Sequence, residues 1–210
     1  VDRRAPLLRL LGLAALPALV VYVGGLLISR SAGIDDLELV IRDLAQTCDY
    51  PLGVGLLSNL GYLLWAGSAA IALFTVFSGL AAAAGRRVRE LLLCGGVFSL
   101  LLCLDDMFLL HDKYIGVDFL YITYAIFAAL ILFRFRDLVI WLGGPSFPVA
   151  VVLLGGSVIF DKIQRYVPGG LKEGQLLEEG LKFIGIACWF FFWWQASAAA
   201  AKLRSGSPNA

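Results

Sequence analysis

Charge is what this chain has least of. Charged residues make up 16% of its 210 positions and hydrophobic ones 60%, against roughly 25% and 45–50% in a soluble domain. Both departures run the same way, and a soluble globular protein is excluded. There is one histidine, which removes every multi-histidine metal site. The four cysteines stand apart at 48, 94, 103 and 188 with no CxxC pair, so neither a zinc knuckle nor a disulfide framework can be read. Basic residues never run beyond two in a row and the net charge is +1; nucleic acid is not an expected partner. Period-two alternation is missing too, which excludes a transmembrane barrel.

What remains is apolar length, with a mean hydropathy of +0.85. A hydrocarbon core of about 30 Å needs roughly 20 apolar residues per helix, and backbone groups in lipid must be satisfied within their own segment. Six runs meet that demand: Leu7–Ile28, Leu56–Leu80, Leu91–Leu110, Phe119–Phe135, Phe147–Tyr166 and Leu176–Ala200. The expected fold is therefore all-α, a polytopic six-helix membrane bundle forming one domain over residues 1–204, with a disordered tail at 205–210. Between the first two runs, Ile34, Leu37, Val40, Ile41 and Leu44 recur at helical spacing opposite Asp35, Asp36, Glu38, Arg42 and Asp43. That pattern predicts an amphipathic helix over about 34–46 lying on the membrane surface. Arg3, Arg4 and Arg9 precede the first run as in a signal peptide. Its apolar stretch exceeds the 7–15 residues of a signal core, so an uncleaved first helix is expected.

Charge placement predicts the orientation. With six spans, one side gathers Arg3, Arg4, Arg9, Arg86, Arg87, Arg89, Arg134, Arg136, Lys202 and Arg204 against Asp2, Glu90 and Asp137, a net +7. The other side and its helix ends hold seven bases and thirteen acids, a net −6. Positive residues stay cytoplasmic, which puts both termini inside a cell (inner or plasma) membrane. Trp141, Trp189, Trp193 and Trp194 are expected at the cytoplasmic interface as an aromatic belt.

The informative charges are those inside the runs. The third run ends in Asp105, Asp106, His111 and Asp112; the fifth carries Asp161 and Arg165; the sixth opens with Glu178 and Glu179, with Lys182 one turn deeper; Asn59 opens the second. Four helices thus bring polar groups to a similar depth near the outer face, although a charge at mid-bilayer costs about 2.5–3.5 kcal/mol. At about 100° per residue, Asp105 and Asp112 share a helix face while Asp106 and His111 diverge from it. Asp105 is the first choice to face the interior and Asp106 the second. Glu178 with Lys182 and Asp161 with Arg165 are i,i+4 neighbours able to pair.

Such a ligand set suits a divalent cation. Ca²⁺, Mg²⁺ and Mn²⁺ take oxygen ligands, and Zn²⁺ or Fe²⁺ accept one histidine with two carboxylates. Asp105, Asp106, His111, Asp161, Glu178 and Glu179 are the candidate ligands, with Asn59 and Lys182 as further polar groups. Without a cation, crowded carboxylates give a general acid or base. Either way the expectation is a hydrolase acting on a lipid-like substrate, with Asp105, Asp106 and Glu179 as its catalytic candidates. Two alternatives stand beside it: a divalent-cation or proton-coupled transporter or channel, also as a homo-oligomer, and a non-catalytic membrane subunit. Each residue also has a structural role open to it. Asp105 or Asp106 can pair with Lys182 or Arg165 to set helix register; Glu178 and Glu179 can complement a helix dipole in its first turn; Asn59 can cap its helix; Tyr121 and Tyr124 can anchor at the interface.

Overall fold

A computed structural model describes residues 12, 15–36, 38–41, 48–51, 53–164 and 172–205. The chain divides into two compact units, Val1–Val54 and Gly55–Ala210. In the first, helix α1 spans Leu16–Ser31, with proline in its opening turn, where a missing N–H costs nothing. It closes at Gly33, whose φ is 87°, and Ile34 N–H donates to the Ser29 carbonyl at 3.0 Å. The expected start of the first run, residues 7–11, lies outside the described residues. Of the surface helix expected over 34–46, residues 34–36 are not helical and Glu38–Ile41 form the short α2; residues 37 and 42–47 lie outside the described residues.

The second unit holds α3 (Leu56–Phe77), α4 (Arg86–Phe108), the short α5 (Leu110–Lys113), α6 (Val117–Gly143), α7 (Ser146–Gln164) and α8 (Lys172–Ser205). These long helices coincide with the second to sixth expected runs. No strand occurs among the described residues. Among the described residues, four helices are long and apolar enough to cross a membrane: Leu56–Phe77, Arg86–Phe108, Ser146–Ile163 and Leu176–Leu203. Helix α6 is longer still but is interrupted at Phe135, whose φ and ψ are −125° and 21°.

The core lies along one face of α8. Residues 185, 186, 189, 192, 193, 196, 197 and 200 are buried, the 3-and-4 spacing of a single helical stripe. Trp189 sits at its centre, 1% exposed, with its ring 5.9 Å from Trp65, 5.7 Å from Phe98, 5.0 Å from Phe147 and 5.7 Å from Trp193. Its indole N–H donates to Ser99 Oγ at 2.8 Å, and that hydroxyl donates to the Gly95 carbonyl at 2.8 Å. This corrects the expected aromatic belt. Trp141 and Trp194 are exposed, but Trp189 and Trp193 belong to the stripe and fill the bundle interior.

Glycine lets the helices close on these rings. A Cβ on Gly95 would stand 1.8 Å from the Trp193 ring, and one on Gly143 2.3 Å from Phe192. Small residues at helix contacts are the means by which helices in lipid approach closely. The helices alternate in direction, so one end of the unit gathers the start of α3, the end of α4, and the starts of α6 and α8. The other end gathers the start of α4, the end of α6 and the end of α8.

Candidate functional site

The first of these ends collects the carboxylates. Helix α4 stops at Leu109, which adopts a left-handed φ of 52° and ψ of 43° and donates its N–H to the Asp105 carbonyl. That conformation is uncommon for a leucine, and it ends the helix directly after the Asp105–Asp106 pair. Asp105 is 5% exposed and its side chain is hydrogen-bonded to Tyr124 of α6, the phenol being the donor. Asp106 accepts from Lys182 Nζ of α8 at 2.5 Å, in an ion pair with side-chain exposures of 14% for the acid and 33% for the lysine. Neighbouring positions on one helix therefore serve two different partner helices, as an offset of about 100° dictates.

Tyr62 of α3 completes the group. Its hydroxyl lies within the fields of Asp106, Lys182, Glu179 and Cys103. Cys103 Sγ stands 3.7 Å from the Tyr62 carbonyl and ties α4 to α3 at this level. Glu179 is exposed, one turn from Lys182 on α8, and its charge also acts on that ammonium. Three carboxylates, one ammonium and two phenols from four helices thus stand at one end of the unit, with a net negative charge.

Beneath it the bundle is sealed. Ile186 follows Lys182 by one turn and Trp189 by two; both are buried, and the aromatic cluster around Trp189 closes the way towards the far end.

The structure distributes the other sequence candidates as follows. Lys182, for which pairing with Glu178 or with Asp105 or Asp106 was expected, is bonded to Asp106 of another helix. Helix α8 begins at Lys172, so Glu178 and Glu179 stand beyond its first turn and away from the dipole role considered for them. Glu178 is half-buried. Asp161 is half-buried on α7, beside Lys162, which pairs with Asp118 of α6; Arg165, its expected partner, lies outside the described residues. The His111 and Asp112 side chains lie outside them as well. Asn59 is exposed in the first turn of α3, where Gly55 occupies the N-cap without a side-chain cap bond, so the capping role expected of Asn59 is not the one it has. Among the described residues, no group of three or more His, Cys, Asp or Glu side chains is arranged to hold a metal ion.

Two participants escaped the sequence reading. Tyr124 was expected to be an interface anchor, and Tyr62 was not singled out at all. The available signal was depth: each stands about two turns inside the helix start that faces the acids.

No curated protein and no solved structure matches this sequence. A family model does match it over residues 10–196, nearly the whole chain, and the protein belongs to that family, described as Domain of unknown function (DUF8692).

Proposed function

We propose that this is a multi-span membrane protein of the cell (inner or plasma) membrane, both termini cytoplasmic, whose niche hydrolyses a lipid-like substrate by carboxylate-dependent acid–base chemistry at the outer face. One observation supports the reading: the three carboxylates have three different surroundings. Asp106 is neutralised by Lys182, Asp105 is engaged by Tyr124, and Glu179 is exposed beside them. Only Glu179 among them is both exposed and, among the described residues, without a bond to a neighbouring side chain, which leaves it open to water and substrate.

In this reading Glu179 takes the proton from a water molecule as it attacks the substrate's acyl or phosphoryl centre, and returns it to the oxygen or nitrogen that departs as the scissile bond breaks. The Lys182 ammonium and Tyr62 hydroxyl face the oxyanion that develops. Asp106 keeps the ammonium charged and in place, and the buried Asp105–Tyr124 contact fixes the wall opposite. The aromatic floor favours a site open to one side over a through-path, and so favours hydrolysis over transport. A divalent cation (Ca²⁺, Mg²⁺, Mn²⁺, Zn²⁺ or Fe²⁺) is the alternative electrophile, and it would have to displace Lys182 from Asp106 to use both aspartates.

The test is turnover of fluorogenic lipid esters, amides and phosphodiesters by the full chain in proteoliposomes. Hydrolysis of one class is expected, lost in Glu179→Gln with the melting temperature unchanged and insensitive to EDTA. Loss of both activity and thermal stability under EDTA would replace the carboxylate mechanism by the metal one. No turnover of any class, together with ion flux through the same vesicles, would replace the enzyme by a carrier.

A further inference from the structure

An open groove runs along α8 where the start of α7 lies against it. It encloses about 440 Å³, within the roughly 300–1,000 Å³ of ligand clefts. Phe183, Ala187 and Phe191 line it from α8, and Pro145, Ser146 and Val149 at the start of α7. The three α8 residues are four apart and so form one ridge of the helix. Ile184 and Cys188, also in the lining, belong to the next ridge. The groove is therefore the furrow between two ridges, flanked by the start of α7. Its lining is apolar, since the Ser146 hydroxyl is turned to the Gly143 carbonyl at 2.5 Å.

Each ridge has one more member towards the start of α8. Ahead of Phe183 stands Glu179, and ahead of Ile184 stands Gly180. Residues four apart on a helix have Cβ atoms about 5–6 Å from one another, so the furrow leads from the exposed carboxylate into the groove. Gly180 keeps that mouth open: among the described residues, a Cβ there would meet nothing within 4 Å. Viewed down α8, Glu179 lies about 60° from Lys182 on one side and about 40° from Phe183 on the other. It thus stands between the ammonium and the groove. The rise from Glu179 to Phe191 is about 18 Å, against about 15 Å for one leaflet's half of the hydrocarbon core.

We propose that this groove holds the fatty acyl chain of the substrate, with the carbonyl that heads the chain at the mouth beside Glu179. That assignment rests on the hydrolytic reading of the carboxylate end and narrows it to acyl esters and amides. A void against a concave apolar surface forfeits dispersion contacts, so in lipid a hydrocarbon chain fills it; the mouth at Glu179 makes that chain the substrate's. A phosphodiester lies further up a lipid, beyond its acyl linkage, and a chain seated in the groove would carry it past Glu179. Hydrolysis adds the water hydroxyl to the acyl carbon and the remaining proton to the departing oxygen or nitrogen. A fatty acid is left in the groove, and an alcohol or amine departs.

The experiment uses the full chain in proteoliposomes and a long-chain acyl ester with a photoactivatable diazirine near the end of its chain. Label is expected around Ala187 of α8 and Val149 of α7, in Glu179→Gln as in the parent, so that binding is read without turnover. Ala187→Trp fills the furrow and Gly180→Leu narrows its mouth; each should lower this labelling about tenfold, as overpacking implies. Ile159→Trp, at an exposed position of α7, should leave it unchanged. Should Ala187→Trp fail to fold, Ala187→Leu is the milder plug. Undiminished labelling in folded Ala187→Trp, or label spread evenly over the exposed helices as bulk lipid would give, would overturn the groove even if Glu179→Gln still abolished turnover. So would a groove free of label in a dimer that Ala187→Trp dissociates, the mark of a second copy covering it. Groove labelling that Ala187→Trp removes, with no turnover of any substrate, would uphold the acyl site and remove the hydrolytic chemistry beside it.

Discussion

The two ends of the Gly55–Ala210 unit use the same device, an acid on one helix bonded to a base on another, in opposite surroundings. Asp106 and Lys182 are mostly withdrawn from the surface, at 14% and 33% exposure, whereas Arg87 and Asp137 stand half in the open at 50% and 56%. Withdrawn charges lose hydration that their mutual attraction only partly restores, so such a pair is a poor stabiliser but very costly to halve. Open pairs lose little hydration and contribute little. The withdrawn pair is thus hard to explain by stability alone, which is why the niche was read as a working site. The open pair is explained by its geometry, since the same guanidinium, clamped on Asp137, also donates to the Arg134 carbonyl beside the break in α6. Between the two ends stands the aromatic cluster, and the contrast depends on its keeping them apart.

The strongest way to break the contrast is to disturb that divider. Gly95→Leu would force a side chain into the space of the Trp193 ring, where even a Cβ would lie 1.8 Å away. Overpacking costs typically about 1–3 kcal/mol and at times more, and this site, with backbone on one side and a rigid indole on the other, belongs at the upper end. The expected result is a large fall in melting temperature, or failure to accumulate in the membrane. A Gly95→Leu protein as stable as the parent would mean that the cluster is not a packed floor.

Halving the withdrawn pair comes next. Asp106→Ala strands the Lys182 ammonium, and a polar group left without its partner costs about 1–3 kcal/mol. The companion variant Asp106→Leu/Lys182→Met should recover most of that loss, because removing both charges also removes the desolvation. Thermal melting of the two proteins in the same detergent is the measurement. A double variant as unstable as Asp106→Ala would show that the pair contributes to folding in its own right, and the argument for a working site would lose its energetic support.

Much of this architecture could be read without coordinates. Apolar length located α3, α4, α7 and α8 to within about five residues, because backbone groups in lipid must be satisfied within their own helix. It located α6 less well, since that helix runs eight residues past the expected end at Phe135. Counting turns placed Asp105, Asp106 and Glu179 towards the same end of the unit. What could not be read was which of several open partners a charge takes. Glu178 on its own helix and Asp105 or Asp106 on another were all open to Lys182, and it bonds to Asp106, seventy-six positions distant in sequence, because α8 presents it to α4 across the bundle. Trp189 and Trp193 misled for a related reason. An indole suits an interface and an interior equally well, and only the 3-and-4 spacing with Gly185, Ile186, Ala196 and Ala200 assigns these two to the interior. The tyrosines were hidden because a phenol near a membrane face is common; its bond to Asp105 is a tertiary fact.

The smallest effect sharpens the contrast from the other end, through pH. The Arg87 guanidinium bonded to Asp137 is the main cause holding that carboxyl below its ordinary value of 3.8, and the backbone N–H groups of Asp137 and Leu138 act in the same direction. A carboxyl depressed in the folded state stabilises fully above its unfolded value and loses that contribution as pH falls through the folded one. The parent should therefore shed a small increment of stability on acidification below about pH 4, near the unfolded carboxylate range. Arg87→Ala, with the clamp gone, should lack that increment and be slightly less stable at neutral pH. Raised salt should shrink the difference between the two proteins, because the pair is open to screening, while leaving the difference between Asp106→Ala and its parent largely unchanged. If salt weakened both pairs alike, the two ends would not differ in burial as described, and the contrast between a sheltered niche and an open clamp would collapse.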